Sequence, residues 1–218
     1  KELIGTLNTV IFCPEDLQLI KGSPSGRRRF LDMEISQTSA TYYHQLMQYN
    51  RLLQQRNAVL KEYRGKQNIP LEEWDLQLAD MASFIVKKRL ESLKKINLLI
   101  DLMNRKLTGG LENLTIGYEQ PYMDNGSLEY TKEGFYERIK AALPQDRHRL
   151  TTSVGPHRDD LRFFSDAMDL KKFGSQGQQR TAVLSLKLSE LEFIKSEVGE
   201  YPVLLLDDVL SELDESRR

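Results

Sequence analysis

The chain has 218 residues, 39% of them hydrophobic and 29% charged, enough for one large domain or two small ones around a real core. Its 31 basic and 32 acidic side chains leave a net charge of −1, so overall charge points to no polyanionic partner. Cys13, the single cysteine, excludes an intrachain disulfide and suits a reducing cytoplasm. No apolar run approaches the ~20 residues of a membrane span, and Cys13, His44, His148 and His157 are too scattered to suggest zinc.

Gly5 to Cys13 is rich in β-branched and apolar residues and predicts a strand, followed by a short helix opened by Pro14-Glu15-Asp16 and closed at Gly22. Ser23-Pro24-Ser25-Gly26 predicts a turn before the basic run Arg27-Arg28-Arg29. From Ser36 to Leu107 the periodicity is helical. Leu46, Tyr49, Leu53, Leu60 and Tyr63 form one apolar seam, interrupted at Arg56. Ala82, Ile85, Leu93, Ile96, Ile100, Met103 and Leu107 form a second, interrupted at Arg89. Gly65 to Pro70 breaks the pattern, which predicts two antiparallel helices with Lys66 and Gln67 at an exposed tip and Leu53 and Ile96 buried. Beyond Gly110 come a strand at Leu114–Tyr118, a helix at Lys132–Leu143 ending before Pro144, and a strand at Asp160–Phe164. A long helix follows at Gln176–Ser196, then a buried strand at Pro202–Leu206, whose apolar run does not alternate. The expected organisation is an α/β domain (1–35 and 108–218) interrupted by a helical arm (36–107).

Two motifs carry chemistry. Val203-Leu204-Leu205-Leu206-Asp207-Asp208 is an apolar strand ending in two acids, the Walker B arrangement of nucleoside triphosphatases. There Asp207 would help hold Mg²⁺ and Asp208 would polarise the attacking water. A buried strand with an acidic cap reads from the same residues. Ser175-Gln176-Gly177-Gln178 opens the long helix, where free amides and the helix dipole favour an anion and Gly177 lets a phosphate come close. An ordinary N-cap at Ser175 reads from these residues too.

Together, Phe173-Gly174-Ser175-Gln176-Gly177-Gln178, a helix, the Leu-Leu-Leu-Asp-Asp strand and Ser211-Glu212-Leu213-Asp214 resemble the signature, Walker B and D-loop series of ABC-type ATPases. Ser-Gln-Gly-Gln-Gln-Arg (175–180), Gly155-Pro156-His157-Arg158-Asp159-Asp160 and Phe12-x-Pro14-Glu15-Asp16-Leu17 narrow the resemblance to the RecF family of DNA repair ATPases. So do Lys21-Gly22-Ser23-Pro24 and Arg27-Arg28-Arg29-Phe30-Leu31-Asp32. The resemblance covers both ends of the chain, and the arm only by its helical character.

The resemblance implies an ABC-type ATPase head with an inserted antiparallel helical arm. Ser175, Gly177 and Gln178 would contact a γ-phosphate held by the other subunit of an ATP-dependent homodimer, and Asp214 would bridge the two subunits. Asp207 would be the metal-site residue and Asp208 the catalytic carboxylate, its short reach implying slow hydrolysis. Glu15 or Asp16 could stand where the Q-loop stands, or simply cap a helix. Arg27, Arg28 and Arg29 could meet DNA phosphates or pair with Asp32 and Glu34. The implied ligands are ATP and Mg²⁺, and the implied partners are single-stranded or junction DNA and RecO- and RecR-type mediators, with no membrane. Alternatives are another SMC-like head of the RecN or SMC type, or a non-catalytic helical scaffold. No G-x-x-x-x-G-K-[ST] phosphate loop occurs in the sequence, so the expectation is a fragment that does not hydrolyse ATP alone. Residues His157 and Arg158 have no role that the sequence reveals.

Overall fold

The computed structural model describes residues 7–66, 69–122 and 130–207. It runs β1 (Thr9–Phe12), a 3-10 turn (Pro14–Leu17), α1 (Gln18–Lys21), α2 (Pro24–Thr38), α3 (Ala40–Glu62) and α4 (Glu72–Thr108). There follow β2 (Leu114–Glu119), α5 (Lys132–Ala141), α6 (Leu143–Arg149), a 3-10 turn (Pro156–Arg158), β3 (Asp160–Ser165) and β4 (Met168–Asp169). The last elements are α7 (Leu170–Phe173), α8 (Gln176–Val198) and β5 (Val203–Leu206). Two compact units result: an α/β head from residues 7–40, 90–119 and 160–207, and a helical unit from Thr41–Arg89 and Gln120–Asp159.

The head carries two sheets. β1 and β5 pair in parallel, with Thr9 opposite Val203 and Phe12 opposite Leu206. β2, β3 and β4 form an antiparallel sheet in which Leu114 faces Ser165 and Glu119 faces Asp160. β3 alternates buried and half-buried side chains, as a strand with one face on a core should. The core gathers Val10, Phe12, Ile20, Leu31, Ile35, Leu161, Phe163, Leu186 and Phe193, all 5% exposed or less. The expected buried strand at 203–206 is corrected here. All four β5 side chains are exposed, from 42% at Leu204 to 53% at Leu206, because β1 is its only strand neighbour among the described residues. Its non-alternating pattern is that of a strand meant to be covered on both faces.

Two prolines that read as helix breakers start helices instead. Pro24 is the first residue of α2, behind Ser23 at the N-cap, so the Ser-Pro-Ser-Gly run is a helix start rather than a turn. Pro144 sits in the first turn of α6, directly after α5, and Leu150 in a left-handed conformation (φ 54°) closes that helix.

In the helical unit α3 and α4 run antiparallel. Tyr42 on α3 meets Arg89 on α4, and fourteen residues further along α3 Arg56 meets Asp75, fourteen residues back along α4. Matched spacing of opposite sense is the register of an antiparallel pair. Tyr49, Leu60, Leu78, Ala82 and Ile85 are buried, as is Ile96 further along α4. Leu53 is half-buried and Lys66 exposed, while Gln67 lies outside the described residues.

Candidate nucleotide and interface site

The start of α8 has the geometry of an exposed, fully formed helix cap. Ser175 is extended (φ −63°, ψ 160°), and its hydroxyl accepts from the Gln178 amide at 3.2 Å. The Gln178 side-chain carbonyl accepts in turn from the Ser175 amide at 3.0 Å, completing a capping box. The Gln178 amide nitrogen also donates to Glu112 at 3.1 Å. The amides of Gln176 and Gly177 precede the intrahelical ladder, and Ser175, Gln176 and Gly177 are exposed.

The two glycines here differ. A Cβ on Gly174 would lie 2.6 Å from the Leu170 carbonyl oxygen, so packing requires that glycine. On Gly177 a Cβ would meet nothing nearer than Ser175 Oγ at 4.0 Å. No packing among the described residues explains Gly177, although glycine inside a helix costs about 1 kcal/mol relative to alanine.

The parallel pairing of β1 and β5 puts their carboxyl ends side by side. Asp207, just past β5, is exposed, and its amide donates to the Phe12 carbonyl at 2.9 Å. Glu15 and Asp16, just past β1, therefore belong to the same sheet end. Asp16 Oδ2 accepts from the Cys13 amide at 2.9 Å, a capping bond, and its other oxygen is 3.9 Å from Lys187 Nζ. Glu15 is exposed. Burial, and then Asp16, push the Cys13 thiol up. An exposed carboxylate at a strand end suits Mg²⁺, which takes one or two protein carboxylates and completes its shell with phosphate oxygens and water. Among the described residues no group of three or more His, Cys, Asp or Glu could hold a metal without such help. Asp208 and Asp214 lie outside the described residues.

Residues from β1, α2 and α8 line a cleft of about 810 Å³ with an acid-rich wall. Glu34 (4% exposed) and Glu190 (2%) each bury a carboxylate oxygen that has no hydrogen-bond partner. Lys187 reaches Glu190 at 2.8 Å and Asp16 at 3.9 Å. Burial pushes Glu34 up to about 7, against the pull of Lys187. Burial, and then the repulsion of Glu34, raise Glu190 well above the carboxylate range. Burial works against the Lys187 charge, but Glu190, Asp16 and Glu34 outweigh it and hold its pKa above the ordinary value. This cluster is not legible in the sequence, because Glu34 on α2 is far along the chain from Lys187 and Glu190 on α8, and each reads alone as solvated surface.

The arginine run divides. Arg27 is 3% exposed, and its guanidinium is bidentate to Asp160 at 2.7 and 2.8 Å, with a third bond to the Gly22 carbonyl at 2.9 Å. The reading of Arg27 as a DNA contact is corrected: the side chain ties α2 to β3 and faces no solvent. Arg28 is half-buried and Arg29 is exposed.

The Gly155-to-Asp160 run also acquires a role, and it is structural. Gly155 adopts φ 132°, and a Cβ there would stand 2.3 Å from Tyr49 Oη. His157 Nε2 is 3.0 Å from the Thr152 carbonyl, which can only accept, so Nε2 carries the proton. Nδ1 then accepts from the Tyr49 hydroxyl at 2.6 Å. Burial, then nearby Asp159, raises Tyr49 and keeps that donor protonated. Asp159, fully buried, takes Tyr122 Oη at 2.6 Å and Arg89 at 3.4 Å. The two arginines that interrupt the apolar seams are thus buried ionic anchors. Arg89 also donates to the Pro156 carbonyl at 2.7 Å, and Arg56 pairs with Asp75 at 2.6 Å and Asp146 at 2.7 Å.

Comparison with known proteins agrees across the whole length. The chain is 51% identical, over all of itself and 60% of the relative, to the DNA replication and repair protein RecF of Alkaliphilus oremlandii. It is 48% identical to the proteins of the same name from Clostridium botulinum strain Eklund 17B (59% of that protein) and Halothermothrix orenii (60%), again over all of itself. Two solved structures, of the recombination mediator protein RecF with ATPrS and with ATP in the RecFOR pathway, superpose with a TM-score of 0.91. They are 40% identical to the chain, and the match covers 99% of it and 59% or 58% of theirs. The chain thus spans about 60% of the length of the relatives it matches. No family model matches it. Among the described residues no helix is long and apolar enough to cross a membrane.

Proposed function

We propose that this chain, which belongs to the RecF family of DNA replication and repair proteins, supplies the signature and Walker B side of an ATP-switched dimer that binds DNA in recombinational repair. The observation that carries the reading is the start of α8: a capped, exposed helix N-terminus bearing a glycine that no packing among the described residues requires. Such a terminus is built for an anion arriving from outside the chain. ATP is that anion's source, held by a second copy, and the likeness to RecF structures with ATP supports the choice of nucleotide.

In this reading Ser175, Gly177 and Gln178 face the γ-phosphate across the dimer interface, and Asp214 helps join the two copies. Asp207 would hold Mg²⁺, which neutralises phosphate charge, while Asp208 orients the attacking water and Glu15 lies near both. Catalysis is positioning and charge stabilisation, with little covalent chemistry for the protein. Closure of the dimer presents a surface to gapped or single-strand/duplex junction DNA, in the cytoplasm, alongside RecO- and RecR-type mediators. Slow hydrolysis by an aspartate in place of the longer glutamate resets it.

The test uses the whole protein. Ser175→Arg should leave ATP affinity within about twofold while abolishing ATP-induced dimers in light scattering, because a bulky cation blocks the helix start. Asp207→Asn should instead lower Mg²⁺-dependent hydrolysis. Normal dimers from Ser175→Arg would reduce Ser175 to a helix cap.

A further inference from the structure

We propose that a second, distinct cleft, in the helical unit, grips the phosphodiester backbone of DNA through Arg149 and Arg158. The proposal rests on the reading of the whole protein as a DNA binder, and gives that reading a location away from the nucleotide site. The cleft measures about 510 Å³, and its three guanidiniums come from three elements: α5, α6 and the 3-10 turn at 156–158. None of its described lining residues is acidic. Two described carboxylates lie behind lining residues, Asp146 behind Ser153 and Asp159 behind Tyr122, and both are fully buried and face a buried arginine, Arg56 at 2.7 Å and Arg89 at 3.4 Å.

What sets Arg149 and Arg158 apart is the company they keep. Arg27, Arg56, Arg89, Arg105 and Arg162 are each bonded to a carboxylate. Arg158 bonds only to neutral oxygens: the Thr152 carbonyl at 2.7 and 3.1 Å and the Thr151 hydroxyl at 3.3 Å. Arg149 reaches only the Gln145 side-chain oxygen, at 3.1 Å from both terminal nitrogens. Both are exposed. Arg138 closes the third side, its Nη1 on the Tyr122 carbonyl at 3.2 Å. Neutral acceptors orient a guanidinium without cancelling its charge, so Arg158 is held in place and remains fully cationic. A guanidinium fixed in advance loses little rotamer freedom when a phosphate arrives, and its fork matches phosphate oxygens in pairs. Arg147 and His148 on α6 and Lys140 on α5 extend the same basic character along the chain.

The order of the sequence hides this site: Arg149 ends the short basic run Arg147-His148-Arg149, and nothing in that run points to Arg158 nine residues on. A phosphodiester is favoured over an isolated small anion because Arg149 and Arg158 come from two different elements of an open cleft and can meet phosphate oxygens from two sides.

Labelled gapped DNA, titrated with the whole protein and ATP at several sodium chloride concentrations, tests the proposal. Arg149→Ala with Arg158→Ala should weaken binding roughly tenfold near 100 mM salt and reduce the slope of log affinity against log salt by about 2, one unit per lost phosphate contact. Arg149→Glu, a change at an exposed side chain with a single partner, covers the case in which the double variant misfolds, and should weaken binding at least as much. Arg105→Ala, removing an exposed cation already paired with Asp101 in the other unit, should leave the slope unchanged. If the wild type itself shows no salt-dependent DNA binding, the broader reading fails. If it binds and Arg149→Glu binds with the same slope, the cleft is not a backbone site. Loss of stabilisation by inorganic phosphate in a melting assay, with DNA affinity intact, would assign the cleft to a small anion and equally overturn the proposal.

Discussion

Both units bury charge, and the cleft of the head does so in the opposite way to the helical unit. In the helical unit the buried cations have their carboxylates: Arg56 is shared by Asp75 and Asp146, and Arg89 faces Asp159. Asp146 is further satisfied by the Ser153 amide at 2.9 Å and its hydroxyl at 2.5 Å, and among the described buried side chains of this unit only Arg56 Nη2 goes without a partner. In the head Arg27 has Asp160, but beside the cleft the acids outnumber their cation. Lys187 serves Glu190 and Asp16, while Glu34 and Glu190 each keep an unpartnered oxygen beside an open cleft. A matched buried pair fixes one arrangement of the elements that carry it. An excess of buried carboxylate leaves a place whose protonation the solvent can change.

The largest effect should come from breaking the matched side. Arg56→Met removes the only cation between Asp75 and Asp146 and strands two carboxylates in the interior, which costs about 3–5 kcal/mol when one partner of a buried pair is lost. Urea unfolding followed by helical circular dichroism should show the midpoint fall with little change in slope. Adding Asp75→Asn and Asp146→Asn should recover much of the loss, since the triple variant leaves no uncompensated charge. A loss under 1 kcal/mol for Arg56→Met would mean that water already reaches the pair.

The mismatched side should respond with the opposite sign. Glu34 is shifted from the ordinary glutamate value of 4.5 to about 7, so the folded protein holds its proton more tightly than the unfolded chain. Its contribution to stability is therefore present in full below about 4.5 and disappears as pH rises through about 7. Glu34→Gln, which removes the charge, should stabilise the chain by roughly 2 kcal/mol at pH 8 and by almost nothing at pH 4.5. Melting curves of the two proteins across this range should converge towards acid. Parallel curves would show that the carboxyl ionises without penalty.

These charges also mark where the sequence stopped being legible. The seams on α3 and α4 are visible from their 3-4 spacing, and so is the antiparallel hairpin. Arg56 and Arg89 look like flaws in those seams, because their carboxylates lie far along the chain: Asp146 is ninety residues from Arg56, and Asp159 seventy from Arg89. An arginine at a buried seam position is nonetheless a signal, since the interior tolerates it only with a partner. Pro24 and Pro144 misled because proline both ends one helix and begins the next, and only the Ser23 cap before Pro24 tips the choice. The strand at 203–206 is legible as a strand from its apolar run. Its exposure is not, because burial depends on what covers the two faces. Ser175, Gly177 and Asp207 are legible as candidates because a motif holds its meaning within a few residues of chain. The cleft lined by Arg149 and Arg158 is not, because no motif contains both.

The smallest effect separates a glycine the head needs from one it does not. Gly174→Ala drives a Cβ to 2.6 Å from the Leu170 carbonyl, where the backbone of α7 must give way, and should destabilise the chain. Gly177→Ala meets only open space and adds a better helix former to α8, so the chain should melt at the same temperature or slightly higher, a gain of up to about 1 kcal/mol. In the whole protein the same change places a methyl group where a phosphate held by the second copy must approach the Gly177 amide. ATP-induced dimers should then be weakened several-fold while the fold is undamaged or improved. A variant that gains stability and loses dimerisation shows a glycine kept for a ligand rather than for packing. If Gly177→Ala dimerises with ATP as the wild type does, the helix start is not approached closely. The phosphate must then be met by side chains alone.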